Sequence, residues 1–151
     1  AGEGLKAIEA LQAQCEASME ATAIRFAQTS RDPVAVIRSE GSVIDYAFMS
    51  DPLKDFPDLD WIKKGMPLPT GSVTAGFNQD PDNISRARRA DGASSLQDWF
   101  NGPHRQEIVE EVIGLGGYGK TITVLSGMEP PDEMEDEDED LEDSWAVRFR
   151  R

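Results

Sequence analysis

The sequence predicts an α+β domain in which an N-terminal pair of helices precedes an antiparallel sheet of about five strands with an irregular cover. Apolar residues recur at helical spacing through residues 5–28. From residue 34 onward, β-branched and aromatic residues form short runs separated by glycine-bearing turns. Helices followed by hairpin-connected strands are typical of the α+β class. The 151 residues suffice for one domain with a sizeable core.

Two helices are predicted within residues 1–31. Ser18 is a suitable N-cap for the second helix, over residues 19–28, and Asp32-Pro33 ends it. The pair resembles a helix-turn-helix, but the second helix region carries only two arginines and acids flank the turn, so we interpret the pair as structural. The first helix is predicted from apolar residues three or four positions apart: Leu5, Ile8, Leu11 and Cys15.

The sheet is predicted from alternating runs within residues 32–128. Residues 51–92 interrupt these runs with five prolines and are predicted to be irregular, apart from one strand through Val73 and Phe77. The predicted strands cover residues 34–38, 43–48, 70–78, 94–100, 106–115 and 120–126, with a hairpin turn at 39–42.

Composition excludes several classes of function. With 29 acidic and 15 basic residues the net charge is −14, which argues against a general nucleic-acid or anionic-membrane partner. The single cysteine, Cys15, forms no intramolecular disulfide, so a reducing cytoplasm is the simplest location. The single histidine, His104, excludes a two-histidine metal motif within this chain, and no Cys–His pair is indicated. We therefore predict no catalytic residue, no metal and no cofactor for this chain.

The acidity is concentrated near the C-terminal end. Residues 132–143 hold ten acids in twelve positions, and without them the chain has 19 acidic and 15 basic residues. Carboxylates can bind calcium, but the run lacks a loop glycine and ordered ligand spacing. Because ten like charges repel one another and bury nothing, residues 129–143 are predicted to be a flexible acidic linker.

The last eight residues have a different character. Aromatic and aliphatic side chains alternate with arginines in residues 144–151, where Trp145, Val147 and Phe149 share one side of an extended chain. We predict that this segment is an anchor that docks back on the domain.

One motif matches a phosphate-binding loop letter for letter. Residues 114–121 read Gly-Leu-Gly-Gly-Tyr-Gly-Lys-Thr, which fits GxxxxGK[ST]. A true phosphate loop opens a helix, whereas Ile122 to Leu125 are typical of a strand. About 30 residues remain after the motif, too few for the rest of a parallel sheet. We interpret the motif as a glycine-rich hairpin turn and not as a nucleotide site.

Two segments carry a resemblance to a known family. Residues 16–27, with the form S-x-x-A-T-A-x-R from Ser18 to Arg25, precede a Pro-Val-Ala-Val-Ile strand, and residues 144–151 read Ser-Trp-Ala-Val-Arg-Phe-Arg-Arg. Together with the strand at 118–125, they resemble the C-terminal half of the ImmA/IrrE metallopeptidase family. Val147 stands where the family's W-x-P-R-F ending has proline.

The resemblance implies a regulatory role. Members of the family carry a zinc peptidase domain with HExxH, then a helix-turn-helix-like segment and a GAF-like domain. This sequence contains no HExxH, so what transfers is the GAF-like regulatory part of a cytoplasmic stress-response peptidase that acts on a transcriptional repressor. GAF-like domains place a sheet under a variable cover that often holds a small-molecule signal. Trp61 and Phe77 are accordingly candidate pocket walls, although core packing is the simpler interpretation of both.

Two hypotheses of function follow. The first is a sensor or regulatory domain with a small-molecule signal, the peptidase domain and a repressor as partners. The alternative is an interaction module that docks a repressor or another protein without a small ligand.

Truncation after Asp143 is expected to lower the midpoint of thermal unfolding by several degrees. A docked aromatic such as Trp145 contributes roughly 3 kcal/mol, and ~1 kcal/mol shifts the midpoint of a domain of this size by roughly 2–4 °C. A thermal melt of the truncated chain measures this shift. An unchanged midpoint would mean that the aromatic side chains serve another protein instead.

Overall fold

The computed structural model describes residues 4–15, 18–101, 105–116 and 119–129. Their strands form one antiparallel sheet with the order β2-β1-β5-β4-β3. The strands are β1 (Ala35–Glu40), β2 (Val43–Met49), β3 (Arg89–Ser95), β4 (Glu107–Gly114) and β5 (Thr121–Ser126). The helices are α1 (Gly4–Cys15), α2 (Met19–Thr29), α3 (Asp51–Lys54), α4 (Val73–Phe77), α5 (Pro81–Ser85) and α6 (Leu96–Phe100). The predicted α+β class, with N-terminal helices and a five-stranded antiparallel sheet, is confirmed.

Helices α1 and α2 cover one face of the sheet. Ser18 is the N-cap of α2, as predicted, and its Oγ accepts a hydrogen bond from the Ala21 amide at 3.1 Å. Small side chains on α2 allow close approach to the strands. The buried residues of this layer are Leu5, Ile8, Ala23 and Ala27 from the helices and Val36, Ile113, Ile122 and Val124 from the strands.

The opposite face lies under the segment between β2 and β3, together with α6. Within the predicted irregular range, the structure has α3, α4, α5 and the first part of β3. This cover and the sheet enclose the larger core cluster, which includes Ile37, Ile44, Leu53, Phe56, Ile62, Leu68, Leu96, Trp99, Phe100, Ile108 and Leu125. Since both faces of the sheet are buried, the domain has three layers: helix pair, sheet and cover.

The strand predicted at residues 70–78 is wrong, because residues 73–77 form α4. Val73 and Thr74 are β-branched and favour strands, but their backbone amides do not pair with a neighbouring strand. Ser72 is the N-cap, and its Oγ accepts from the Ala75 amide at 3.1 Å. The Val73 and Thr74 amides donate to the carboxylate of Glu110 on β4. A partner 36 positions away therefore stabilises a helical turn against the local strand preference.

The strand predicted at residues 94–100 is displaced. Residues 89–95 form β3 and residues 96–100 form α6, whose N-cap is Ser95. The buried Leu96, Trp99 and Phe100 have helical rather than alternating spacing. Strand β3 contains Asp91 and Gly92, which are weak strand formers. Its pairing with every residue of β4 except Gly114 outweighs that local preference.

Several predictions fall outside the described residues. These are the acidic linker predicted at 129–143, apart from its first residue Glu129, the C-terminal anchor at 144–151, and His104. Their structures and the domain boundaries proposed from them stay predictions.

Two adjacent carboxylates on β4 hold the three layers together. Successive residues of a strand face opposite sides of a sheet, so Glu110 faces the cover and Glu111 faces the helix pair. Glu110 is 0% exposed and accepts from the Val73 amide at 3.2 Å and the Thr74 amide at 2.7 Å. Glu111 is 6% exposed and accepts from the Gly4 amide at 2.9 Å. Each carboxylate thus binds amides at the start of a helix, which have no partner within that helix.

A hydroxyl chain completes the Glu110 contact. Thr74 Oγ1 donates to Glu110 Oε2 at 2.5 Å and lies 2.7 Å from Thr123 Oγ1 on β5. Both oxygens of Glu110 are therefore acceptors, and both strands β4 and β5 contact the cover through polar groups.

Glu110→Gln is expected to destabilise the domain by about 2–3 kcal/mol. The glutamine would replace one acceptor oxygen by an NH₂ group, which cannot accept the hydrogen bonds donated by Val73 and Thr74. The measurement is urea unfolding of the full chain. Glu111→Gln is the matched control, since a glutamine retains one oxygen for the single Gly4 amide and should cost less. Equal losses in the two variants would contradict the assignment.

Candidate functional site

A cleft opens between the helix pair and the end of β5, with a volume of about 840 Å³. We name it the helix–sheet cleft. Its walls combine apolar side chains with a few charged groups at the rim, a composition typical of small-molecule sites. The lining residues are Gly4, Lys6 and Ala7 of α1, Phe26 of α2, Asp32, Pro33 and Val34 before β1, and Ser126, Gly127, Met128 and Glu129.

One polar atom in this cleft is unsatisfied. Ser126 Oγ is buried and has no hydrogen-bond partner within the described part of the chain. Leaving a buried hydroxyl unpaired costs about 1–3 kcal/mol, and such atoms are rare in folded proteins. Ser126 lies on the helix-facing side of β5, in register with Val109. The lining of the cleft therefore includes a serine whose buried hydroxyl is unpaired.

A second cleft, of about 300 Å³, lies beside β2, and we name it the edge cleft. Trp61 lines it and is 55% exposed. The other predicted pocket residue, Phe77, is buried with Ile84 and Val112. These two side chains belong to different parts of the cover, so the structure does not bring them together around one pocket. The edge cleft is lined by Gln28, Ala47, Phe48, Met49, Asp51, Lys54, Trp61 and Ile62.

An ion-pair network connects α2 with the first hairpin. Arg38 donates to Glu20 Oε2 at 2.6 Å and to Asp45 Oδ2 at 3.1 Å. The Tyr46 hydroxyl donates to the same Glu20 oxygen at 2.5 Å, and the Arg38 guanidinium lies 4.7 Å from the centre of the Tyr46 ring. Burial and the hydrogen bond to Glu20 raise the pKa of Tyr46 well above its ordinary value.

The lysine of the phosphate-loop-like motif belongs to this network. Lys120 Nζ donates to Glu40 Oε1 at 2.6 Å and to Asp45 Oδ2 at 2.9 Å. These hydrogen bonds raise the pKa of Lys120. Burial raises the pKa of Asp45, but the Lys120 hydrogen bond and the charges of Lys120 and Arg38 outweigh it and hold that pKa below its ordinary value. Lys120 is thus paired with two carboxylates of the first hairpin.

The glycines of the motif have structural roles. A side chain at Gly114 would lie 2.6 Å from the Ile84 backbone, so its absence lets α5 pack on β4. Gly116 and Gly119 have φ values of 73° and 69°, which favour glycine in the connection between β4 and β5. The motif is followed by β5 and not by a helix, as the prediction of a hairpin turn requires. Residues 117–118 of that turn lie outside the described residues.

Within the described residues, no group of three or more histidine, cysteine, aspartate or glutamate side chains is placed to hold a metal ion. No helix among the described ranges has both the length and the apolar character needed to cross a bilayer.

Comparisons with known proteins identify no family. A scan against protein-family models matches none, and a search of curated proteins finds no match to this chain. The resemblance to the ImmA/IrrE family therefore rests on the quoted residues alone.

Sequence reasoning missed the groups that matter most in the structure. Glu110 and Glu111 look like two of many solvated acids, and only the apolar residues that flank them in the sequence, Val109 and Val112, hint otherwise. Ser126 carries no sequence signal, because its role depends on how α1 packs beside β5. The ion pairs of Lys120 have no sequence signal, because its carboxylate partners lie 75 and 80 positions away.

Lys120→Ala is expected to raise the pKa of Asp45 toward its ordinary value, because the variant removes a hydrogen bond and a positive charge. Carboxyl NMR titration of the variant and the wild type measures this change. The pKa of Asp45 is lower in the folded state than in the unfolded state, so the ionised carboxylate stabilises the fold at pH values above the unfolded pKa. This stabilisation is lost as the pH falls through the pKa of the folded state. The variant should therefore lose less stability on acidification.

The same substitution tests the nucleotide interpretation. Neither the wild type nor Lys120→Ala is expected to bind ATP or GTP. Magnesium-dependent binding that Lys120→Ala abolishes would contradict the structural role of this lysine.

Proposed function

We propose that this chain is the non-catalytic regulatory region of a cytoplasmic ImmA/IrrE-type zinc peptidase that acts on a transcriptional repressor. The observation that supports the proposal is a helix pair on one face of an antiparallel sheet and a cover of short helices and loops on the other. The resemblance implies the same order along the chain after the peptidase domain: a helix-turn-helix-like segment and then a sheet under a cover. The partners of the region would be the peptidase domain, a repressor and a small-molecule signal.

The residues of the resemblance have a clear structural role in α2. Ser18 caps the helix, and Thr22 Oγ1 donates to the Ser18 carbonyl at 2.8 Å. Thr22 and Ala23 are buried, and Ala23 packs into the cluster between the helix pair and the sheet. A motif of this kind is explained by helix capping and close packing, which supports a shared fold and assigns no catalytic role to these residues.

The helix–sheet cleft is the best candidate for a signal site. The space beneath the cover is filled by large side chains such as Ile37, Leu96 and Phe100, each fully buried. The cleft instead has open volume, apolar walls and the unpaired Ser126 hydroxyl. A ligand bound there would contact α1, α2 and β5 together, so its binding energy would change how the helix pair packs on the sheet.

Native mass spectrometry of the chain as purified is expected to show a bound small molecule. Ala7→Leu, which fills the helix–sheet cleft, should abolish that binding. Ala10→Leu is the matched control, because it adds the same atoms to an exposed position of the same helix. A wild-type chain that carries no small molecule, or binding unaffected by Ala7→Leu, would contradict the sensor role of the cleft.

The peptidase assignment is tested separately. If the assignment is right, the coding sequence upstream of Ala1 encodes a peptidase domain with the motif HExxH. In that motif the histidines hold zinc and the glutamate activates water. An upstream coding region without that motif would overturn the peptidase assignment and leave the cleft experiment unaffected.

A second candidate is a protein-interaction module that needs no small ligand. It is favoured by the exposure of Trp61 and Val43, at 55% and 45%, which are large apolar side chains on the surface. Aromatic side chains in such positions are common in protein interfaces. A chain that binds no small molecule but captures a purified repressor would support this candidate.

A further inference from the structure

Strand β2 is an outer strand whose second half has an open edge. Its first half is covered: the Ile44 amide donates to the Met66 carbonyl and the Gly65 amide donates to the Ile44 carbonyl, both at 2.8 Å. Within the described part of the chain, residues 46–49 pair with β1 and with no second strand. Such an edge presents backbone groups that can pair with another extended segment.

The surface beside this open edge is apolar. Among the described residues, the exposed large hydrophobic side chains are Val43, the first residue of β2, and Trp61, which lines the edge cleft beside the open half of the strand. The edge cleft runs between Trp61 and residues 47–49 of the strand. An open edge, an apolar cleft and an exposed tryptophan together form a binding surface for an extended peptide with apolar side chains on one side.

We propose that residues 144–151 of the same chain bind the edge of β2 in extended form. Apolar residues on one side would contact Trp61 and the edge cleft, and the arginines would face the opposite side of the sheet. Backbone pairing with residues 46–49 would satisfy the open edge. The alternating residues of the segment are Trp145, Val147 and Phe149 on one side and Arg148 and Arg150 on the other, followed by Arg151.

The chain is long enough for this contact. Fourteen residues, 130–143, separate the last described residue from the segment. At roughly 3.3–3.6 Å per residue they span at most about 50 Å. A domain of this size has a radius of gyration of about 14 Å, so the reach exceeds what is needed. Tethering also gives the segment an effective concentration near the millimolar range, which allows a weak contact to be occupied.

Amide hydrogen exchange of the full chain tests the proposal against a chain that ends at Asp143. Removing residues 144–151 is expected to speed exchange about tenfold in residues 46–49 and around Trp61. The opposite outer strand, β3, is the internal control and should not change. Adding the peptide Ser144–Arg151 to the truncated chain should restore slow exchange. Unchanged exchange in β2 would overturn the proposal.

Paired substitutions identify the contact. Trp61→Ser is expected to lower the thermal midpoint of the full chain by roughly 2–4 °C and to leave that of the truncated chain unchanged. Trp145→Ser should reproduce the truncation. Ala146→Ser is the matched control, because residue 146 lies on the other side of an extended segment. Equal effects of Trp61→Ser in the two chains would contradict the contact.

Other occupants of the edge would also be detected. Protection of β2 that depends on protein concentration would mean that a second copy supplies the segment, which overturns binding within one chain. Protection that moves to the helix–sheet cleft would overturn the choice of surface. The outcome does not depend on the peptidase assignment.

Discussion

The fold depends on two adjacent carboxylates in the interior of the sheet. Glu110 and Glu111 face opposite sides of β4, and each binds the free amides at the start of a helix. Buried carboxylates are tolerated only when hydrogen bonds replace their hydration. The first turns of α1 and α4 therefore both donate hydrogen bonds to two adjacent residues of β4. These bonds fix the cover and the helix pair relative to one another through the sheet.

Charged groups at the other end of the sheet have a related role. Arg38 joins α2 to the first hairpin through Glu20 and Asp45, and Lys120 joins that hairpin to β5 through Asp45. Because several charges share Asp45, the network fixes geometry better than isolated surface pairs do. A lysine that resembles a phosphate ligand in sequence thus stabilises a junction of three elements.

Large side chains fill the interior beneath the cover, so that region has no room for a ligand. The candidate binding surfaces are at the places where the layers meet or end. The helix–sheet cleft lies between the helix pair and the end of β5, and Ser126, whose buried hydroxyl is unpaired, is one of its lining residues. The edge of β2 lies where the cover stops at residues 65–68. Binding at either surface would change how the helix pair or the cover packs on the sheet. The proposed role as a regulatory region requires a coupling of this kind.

The sequence by itself determined the helix pair, the Ser18 cap, the first hairpin and the last two strands, because each has strong local periodicity and clear turn residues. Tertiary structure decided the rest. Residues 73–77 became a helix because Glu110 binds their amides from a distant strand. Residues 89–95 became a strand because β4 pairs with them despite Asp91 and Gly92. The clefts, the Lys120 ion pairs and the open edge of β2 all arise from contacts between residues far apart in the chain, which local patterns do not encode.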